Sequence, residues 1–204
     1  MMRARRSHAW LGAALAAGLL LAGCVQTPPT RFYTLSSVLA PPGDSNAEAS
    51  RDLAIGIGTV TLPEYLNRPQ LVTRVGSNRV ALSELDSWIE PLQGLVARTL
   101  AENLALLLAT DDVLTLPQRR PFRPAYQVEV EVTRFDADAA GNAVLDARWW
   151  VLGADGEREL HRARTTLVEA VPAGDRTAAV AALSRALGAL SQEIADVIAA
   201  EEGG

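Results

Sequence analysis

The sequence has no lysine, one cysteine and two histidines in 204 residues. Each scarcity removes a class of function. A single thiol cannot form a disulfide within the chain, and with so few histidines it cannot complete a zinc site. Beyond residue 23 the only histidine is His161, which leaves no partner for a metal ion and no base for a serine nucleophile. No G-x-S-x-G motif occurs either. All 19 basic residues are arginine, set against 24 acidic ones, for a net charge of −5. This balance argues against nucleic-acid binding, which needs a basic face. The missing lysine and abundant alanine report a GC-rich genome rather than a function. No apolar run reaches the roughly 20 residues that a membrane-spanning helix requires; the longest, Trp10 to Ala22, falls short.

What precedes and follows that run is informative. Arg3, Arg5 and Arg6 form a charged start, Trp10 to Ala22 an apolar middle, and Leu21-Ala22-Gly23 a small-residue approach to Cys24. This is the layout of a secretory signal. Leu21-Ala22-Gly23-Cys24 resembles the lipobox of bacterial lipoproteins. There the thiol is alkylated with diacylglycerol, the signal is cut off before the cysteine, and the new amine is acylated. A plain secretory signal with an incidental cysteine is the alternative. Arg5-Arg6 is compatible with the twin-arginine route, but the flanking residues favour general secretion. Cleavage would remove residues 1–23 and leave 181 residues with sixteen arginines against twenty-four acids, a net charge of −8. At about 0.8 kcal/mol per buried CH2, three acyl chains on Cys24 hold a protein in a membrane. Val25 stands where an aspartate commonly retains such proteins at the inner membrane. The resemblance therefore implies the outer membrane, with the domain on its periplasmic face. The covalent lipid on Cys24 is the one non-protein group expected; no other cofactor or metal is.

Residues 24–30 form a lipidated tether and 31–204 a single domain. Arg31 to Leu35 has strand composition, and the Pro- and Gly-bearing stretch from Ser36 to Asp52 a long loop. Leu53 to Leu62 alternates β-branched residues with Gly56 and Gly58, as a buried strand does; as a phosphate loop it lacks a third glycine and a following helix. Pro63 to Pro69 makes a turn, and Gln70 to Val75 with Arg79 to Leu82 a hairpin. The apolar spacing of Ile89, Leu92, Val96, Leu100, Leu104 and Leu107 predicts a helix over 88–109, capped by Asp86 or Ser87. Asp111 to Leu116 suits a short strand. Tyr126 to Thr133 alternates strictly, Gly141-Asn142 and Asp155-Gly156 mark turns, and three strands follow one another as an antiparallel meander. A last helix runs from about Arg176 to Glu201 on Val180, Leu183, Leu187, Leu190, Ile194 and Val197. This spacing suits a coiled-coil seam, but its length favours packing on the sheet. The class is α+β: an antiparallel sheet with a three-stranded meander and two main helices, in two layers.

No residue set points to an enzyme. His161 lies in a strand of alternating polar residues, and Glu129 and Glu131 share a polar strand face. Pro117 to Pro124 places Arg119, Arg120, Arg123 and Phe122 on one stiff loop, either a solvated connector or a contact for lipid headgroups or carboxylates.

The run Val60-Thr61-Leu62-Pro63-Glu64-Tyr65-Leu66-Asn67-Arg68-Pro69-Gln70-Leu71-Val72-Thr73-Arg74, followed by Leu100-Ala101-Glu102-Asn103-Leu104 on a helix and preceded by Tyr33-Thr34-Leu35, resembles the PqiC/YmbA family. These are auxiliary lipoproteins of ABC-type and MCE-domain transport systems. The resemblance implies a non-catalytic lipoprotein beneath the outer membrane that docks an MCE-domain protein of a lipid transporter and supports envelope integrity, with self-association into a homo-oligomer possible. Pro63, Tyr65, Leu66, Arg68 and Pro69, with Arg119, Arg120 and Arg123, are the candidate contacts. On physical grounds the turn at 62–69 serves equally as a docking surface or as a proline-braced cap on the core. Two other roles fit a chain of this kind: a structural lipoprotein assisting outer-membrane assembly, and a periplasmic carrier that binds acyl chains itself.

Overall fold

The computed structural model describes residues 28–38, 53–118 and 121–203. The proposed signal, Cys24 and most of the loop expected before Asp52 lie outside them. The elements are β1 (Arg31–Tyr33), β2 (Ile55–Thr61), β3 (Gln70–Gly76), β4 (Arg79–Trp88), α1 (Leu92–Leu107), β5 (Val113–Thr115), β6 (Tyr126–Asp138), β7 (Asn142–Gly153), β8 (Glu159–Ala170) and α2 (Arg176–Glu202). Eight strands make one sheet, and both helices cover one of its faces. The α+β class and the two layers are as expected.

The meander β6-β7-β8 forms because its residues alternate and its turns are tight. Val128, Val130 and Val132 of β6 and Leu145, Ala147, Trp149 and Val151 of β7 all point into the core. Gly141, at φ +89°, makes the first turn, and an added Cβ there would lie 2.6 Å from the Val171 carbonyl oxygen. Gly141→Ala is therefore expected to cost about 1–2 kcal/mol for the left-handed backbone alone, with the collision in addition. Gly174→Ala, also at positive φ (+81°) but in open space, should cost only the backbone part. The gap between their urea midpoints measures the collision.

Beyond the meander the sheet is mixed, which corrects the expectation of an antiparallel sheet. Four pairings are parallel: β1 with β4, β2 with β5, β2 with β6, and β3 with β6. Only tight turns force neighbours to be antiparallel; strands joined through a helix or brought from distant segments are free of that constraint. β2 lies along the first half of one β6 edge, Ile55 opposite Tyr126 to Thr61 opposite Glu131. β3 joins the same edge at its far end, Thr73 opposite Ala137 and Arg74 opposite Asp138. The sheet thus forks along β6, with β5 beyond β2 on one branch and β4 and β1 beyond β3 on the other.

The first helix also starts later than its apolar spacing suggests. Asp86 and Ser87 continue β4, Trp88 ends it as a buried core residue, and Ile89 is exposed rather than part of the apolar stripe. Asp86 is drawn inward by donors: Arg31 Nε at 2.6 Å, Ser83 Oγ at 2.7 Å and the Tyr33 hydroxyl at 3.2 Å. α1 begins after Pro91, whose fixed φ suits a helix start and whose side chain makes no cap bond. α2 is capped by Asp175, whose carboxylate accepts from the Ala178 N–H at 2.9 Å. Its stripe is buried from Val180 to Ile194 but ends on Ile198, not Val197. That step of four follows the 3.6-residue period of a helix lying on a sheet rather than a 3.5-residue seam.

Candidate functional site

β2 and β3 occupy one edge of β6 in succession, so residues 55–76 are a single extended path with one jog. The jog is the segment 62–69. Pro63 sets φ to −57°, a 3-10 turn covers Glu64–Leu66, and the Leu66 N–H donates to the Pro63 carbonyl at 2.9 Å. The turn swings Leu66 into the core, where it is 2% exposed.

It also aims Tyr65 at Asp136, which is 1% exposed on β6. The Tyr65 hydroxyl donates to Asp136 Oδ2 at 2.9 Å, Arg74 Nη2 to the same oxygen at 3.1 Å, and Arg134 Nε to Oδ1 at 2.9 Å. The Arg74 guanidinium also stands 5.7 Å from the Tyr65 ring centroid, within cation–π range. One buried carboxylate thereby ties β3 and β6 to the jog between β2 and β3. Burial first, and the Asp136 charge second, push the Tyr65 phenol up to about 12. A raised phenol favours the folded state below the unfolded value near 10 and loses that contribution as pH rises towards 12. Spectrophotometric titration at 295 nm should therefore show a late-ionising phenol that Tyr65→Phe removes, together with part of the stability loss between pH 10 and 12.

Of the residues singled out in the sequence, Pro63, Tyr65, Leu66, Arg68 and Pro69 come together in this jog. Tyr65 and Leu66 point into the domain, Pro63 and Arg68 are half-buried, and the outward surface is Glu64, Asn67 and Pro69. Arg123 is exposed just before β6 begins. Asp136 lies ten residues along that strand from Tyr126, about 33 Å at strand rise, so Arg123 and the jog are not one site. Arg119 and Arg120 lie outside the described residues, as does Cys24.

Sequence reasoning missed Asp136, Arg74 and Arg134. The signal was a break in period two. The β6 register shifts between Val132 and Arg134, after which Phe135, Asp136 and Ala137 are buried in succession. His161 is not a solvated strand residue. It is half-buried opposite Val151 and stacks on Trp149 at 5.1 Å between centroids. Trp149 Nε1 donates to Thr165 Oγ1 at 3.1 Å, and Thr165 in turn donates to Glu193. Neither a nucleophile nor a metal partner accompanies His161, and among the described residues no group of three metal-binding side chains occurs.

A second feature is a groove of about 680 Å3 between α1 and β5. Gly94, Ala97, Ala101 and Ala105 line the helix side, Val113 and Leu114 the strand side, and Arg98 and Glu102 stand at its rim. No helix among the described residues is long and apolar enough to cross a membrane.

The family model described as "ABC-type transport auxiliary lipoprotein component" matches residues 33–195, from the end of β1 into the last turns of α2. The chain belongs to this family. The likeness of residues 60–74 to PqiC/YmbA is thereby borne out. Two solved structures share the fold of this auxiliary lipoprotein. One is a crystal structure of an uncharacterised protein, 19% identical with a TM-score of 0.67, covering 84% of this chain and 99% of its own. The other is a protein from Xanthomonas campestris under the family model DUF330, 16% identical with a TM-score of 0.68, covering 85% of this chain and 98% of its own. No curated protein is matched. Within the run 60–74, Pro63, Tyr65 and Arg74 are groups that shape the jog and tie it to β6.

Proposed function

We propose that this chain is an outer-membrane lipoprotein, anchored through Cys24, that serves as the docking subunit of an MCE-type lipid transporter. The observation that carries the reading is the Leu21-Ala22-Gly23-Cys24 signal placed nine residues ahead of the family match at Tyr33. An acidic chain in a family of auxiliary transport lipoproteins suits an accessory role better than an enzymatic one. The jog offers Glu64, Asn67 and Pro69 on a rigid support, and rigid loops on a fixed scaffold are common places for recognition.

The test begins with labelled palmitate in the native host. Label should enter the wild type and fail to enter Cys24→Ser. Photocrosslinkers at Glu64, Asn67 and Arg123 in the lipidated protein then identify the neighbour. An MCE-domain protein at the jog supports the docking role. A β-barrel at any position would move the reading to outer-membrane assembly.

The α1–β5 groove favours one second reading, a lipid carrier, since its volume and apolar lining fall in the range of small-molecule sites. A carrier copurifies with stoichiometric lipid, and Ala101→Trp, which fills the groove, would release it. A lipid-free preparation removes this reading.

A further inference from the structure

Phe32 and Ile89 are large apolar side chains, each 63% exposed. They are neighbours. β1 is the last strand of its branch, paired in parallel with β4 so that Phe32 sits opposite Ser87 and Tyr33 opposite Trp88. Ile89 lies two residues past Ser87 and continues the ladder, its N–H donating to the Tyr33 carbonyl at 2.9 Å. By strand alternation Phe32 and Ile89 share the outward face, while Tyr33 and Trp88 turn to the core. Arg31, one residue before Phe32 and on the opposite face with Asp86, keeps 63% of its side chain exposed at this edge while its Nε holds Asp86.

The position of this edge is decisive. Arg31 is the seventh residue after Cys24, a reach of about 25 Å when fully extended. A domain of this size is roughly 40 Å across. An anchor at Cys24 therefore keeps the β1 edge within about 25 Å of the membrane surface, less than the width of the domain, so the domain cannot invert to point this edge away from the bilayer.

We propose that the edge formed by Phe32 and Ile89 rests in the interfacial layer of the bilayer that holds the acyl chains of Cys24, with Arg31 at the level of the lipid phosphates. The proposal depends on lipid attachment at Cys24 as read above. Two side chains are too small a patch for a stable protein interface, which needs about 800 Å2 on each partner. They suffice on a membrane, where the acyl chains already supply the affinity and the contact has only to set orientation. Arg31, largely exposed on the other face of the same edge strand, supplies a cation that suits anionic headgroups.

The test uses the lipidated protein in vesicles of phosphatidylethanolamine and phosphatidylglycerol. Lipid blocks Cys24, so single cysteines introduced as Phe32→Cys, Ile89→Cys and Val168→Cys can each carry an environment-sensitive fluorophore. Val168 is 60% exposed on β8, at the opposite end of the sheet path from β1. The probes at 32 and 89 should shift to the blue and be quenched by doxyl-labelled lipid, while the probe at 168 does neither. A protein that floats with the vesicles but has water-like probes at 32 and 89 overturns the membrane contact alone. Crosslinks between copies at these positions without lipid quenching assign the edge to a second copy and overturn it too. A protein that does not float overturns the anchorage and, with it, this proposal.

Discussion

Asp136→Ala is expected to be the most damaging single substitution in the jog region, lowering stability by about 3–5 kcal/mol, as breaking a buried ion pair does. The carboxylate accepts from Tyr65, Arg74 and Arg134. Its removal leaves a half-buried phenol and two guanidinium groups, on side chains only about a quarter exposed, without their acceptor. Arg74 Nε and Arg134 Nη2 already lack hydrogen-bond partners, and the Asp138 carboxylate, 3.5 Å from Arg134 Nη2, is placed to offset only part of the loss. Thermal unfolding should fall by about 10 °C, given 2–4 °C per kcal/mol for a domain of this size. The triple variant Asp136→Leu, Arg74→Met and Arg134→Met should recover most of the loss, because replacing a whole buried charged cluster is often neutral. A single variant with an unchanged melting temperature would show that the jog is not held by this carboxylate.

Trp149→Ala should cost a similar amount, about 3–5 kcal/mol, read as a lower urea midpoint. The ring is among the largest fully buried side chains, stacks with His161, and donates its N–H to Thr165. Its sequence neighbour is the control. Trp150 faces the uncovered side of the sheet beside Arg148, Arg162 and Arg164, and Trp150→Ala should change stability by less than about 1 kcal/mol. Equal losses from the two tryptophans would contradict the face assignment of β7. Trp149→Phe, which keeps the ring but not the N–H, separates packing from the hydrogen bond.

The meander and last helix were legible in the sequence because strict alternation, the Gly141 and Gly156 turns and the apolar spacing from Val180 to Ile194 each act locally. The pairing of β2 and β3 with β6 was not, since nothing in a strand names a partner fifty residues away. The boundary of α1 was misjudged for a related reason. Asp86 and Ser87 have the chemistry of helix caps, and only Arg31, Tyr33 and Ser83, assembled in three dimensions, turn Asp86 into a buried strand residue. The jog was recognisable as a proline-bounded turn, and its tyrosine as an aromatic near a core. That the tyrosine is fastened by a carboxylate seventy-one residues later was not.

The forked edge of β6 also dictates an order of events during folding. Residues 126–202 need only near neighbours to form three antiparallel strands and a helix, and contacts of that kind close quickly. β3 can pair with β4 in a hairpin as soon as both are made, but the edges of β2 and β3 that meet β6 stay open until Tyr126 to Asp138 follow them. Each must then close a loop of fifty residues or more, at an entropic cost the meander does not meet. Through that interval the chain carries two apolar strands with unpaired edges, the condition in which chains aggregate or engage chaperones. The jog and the strands on either side of it are thus expected to settle onto β6 late.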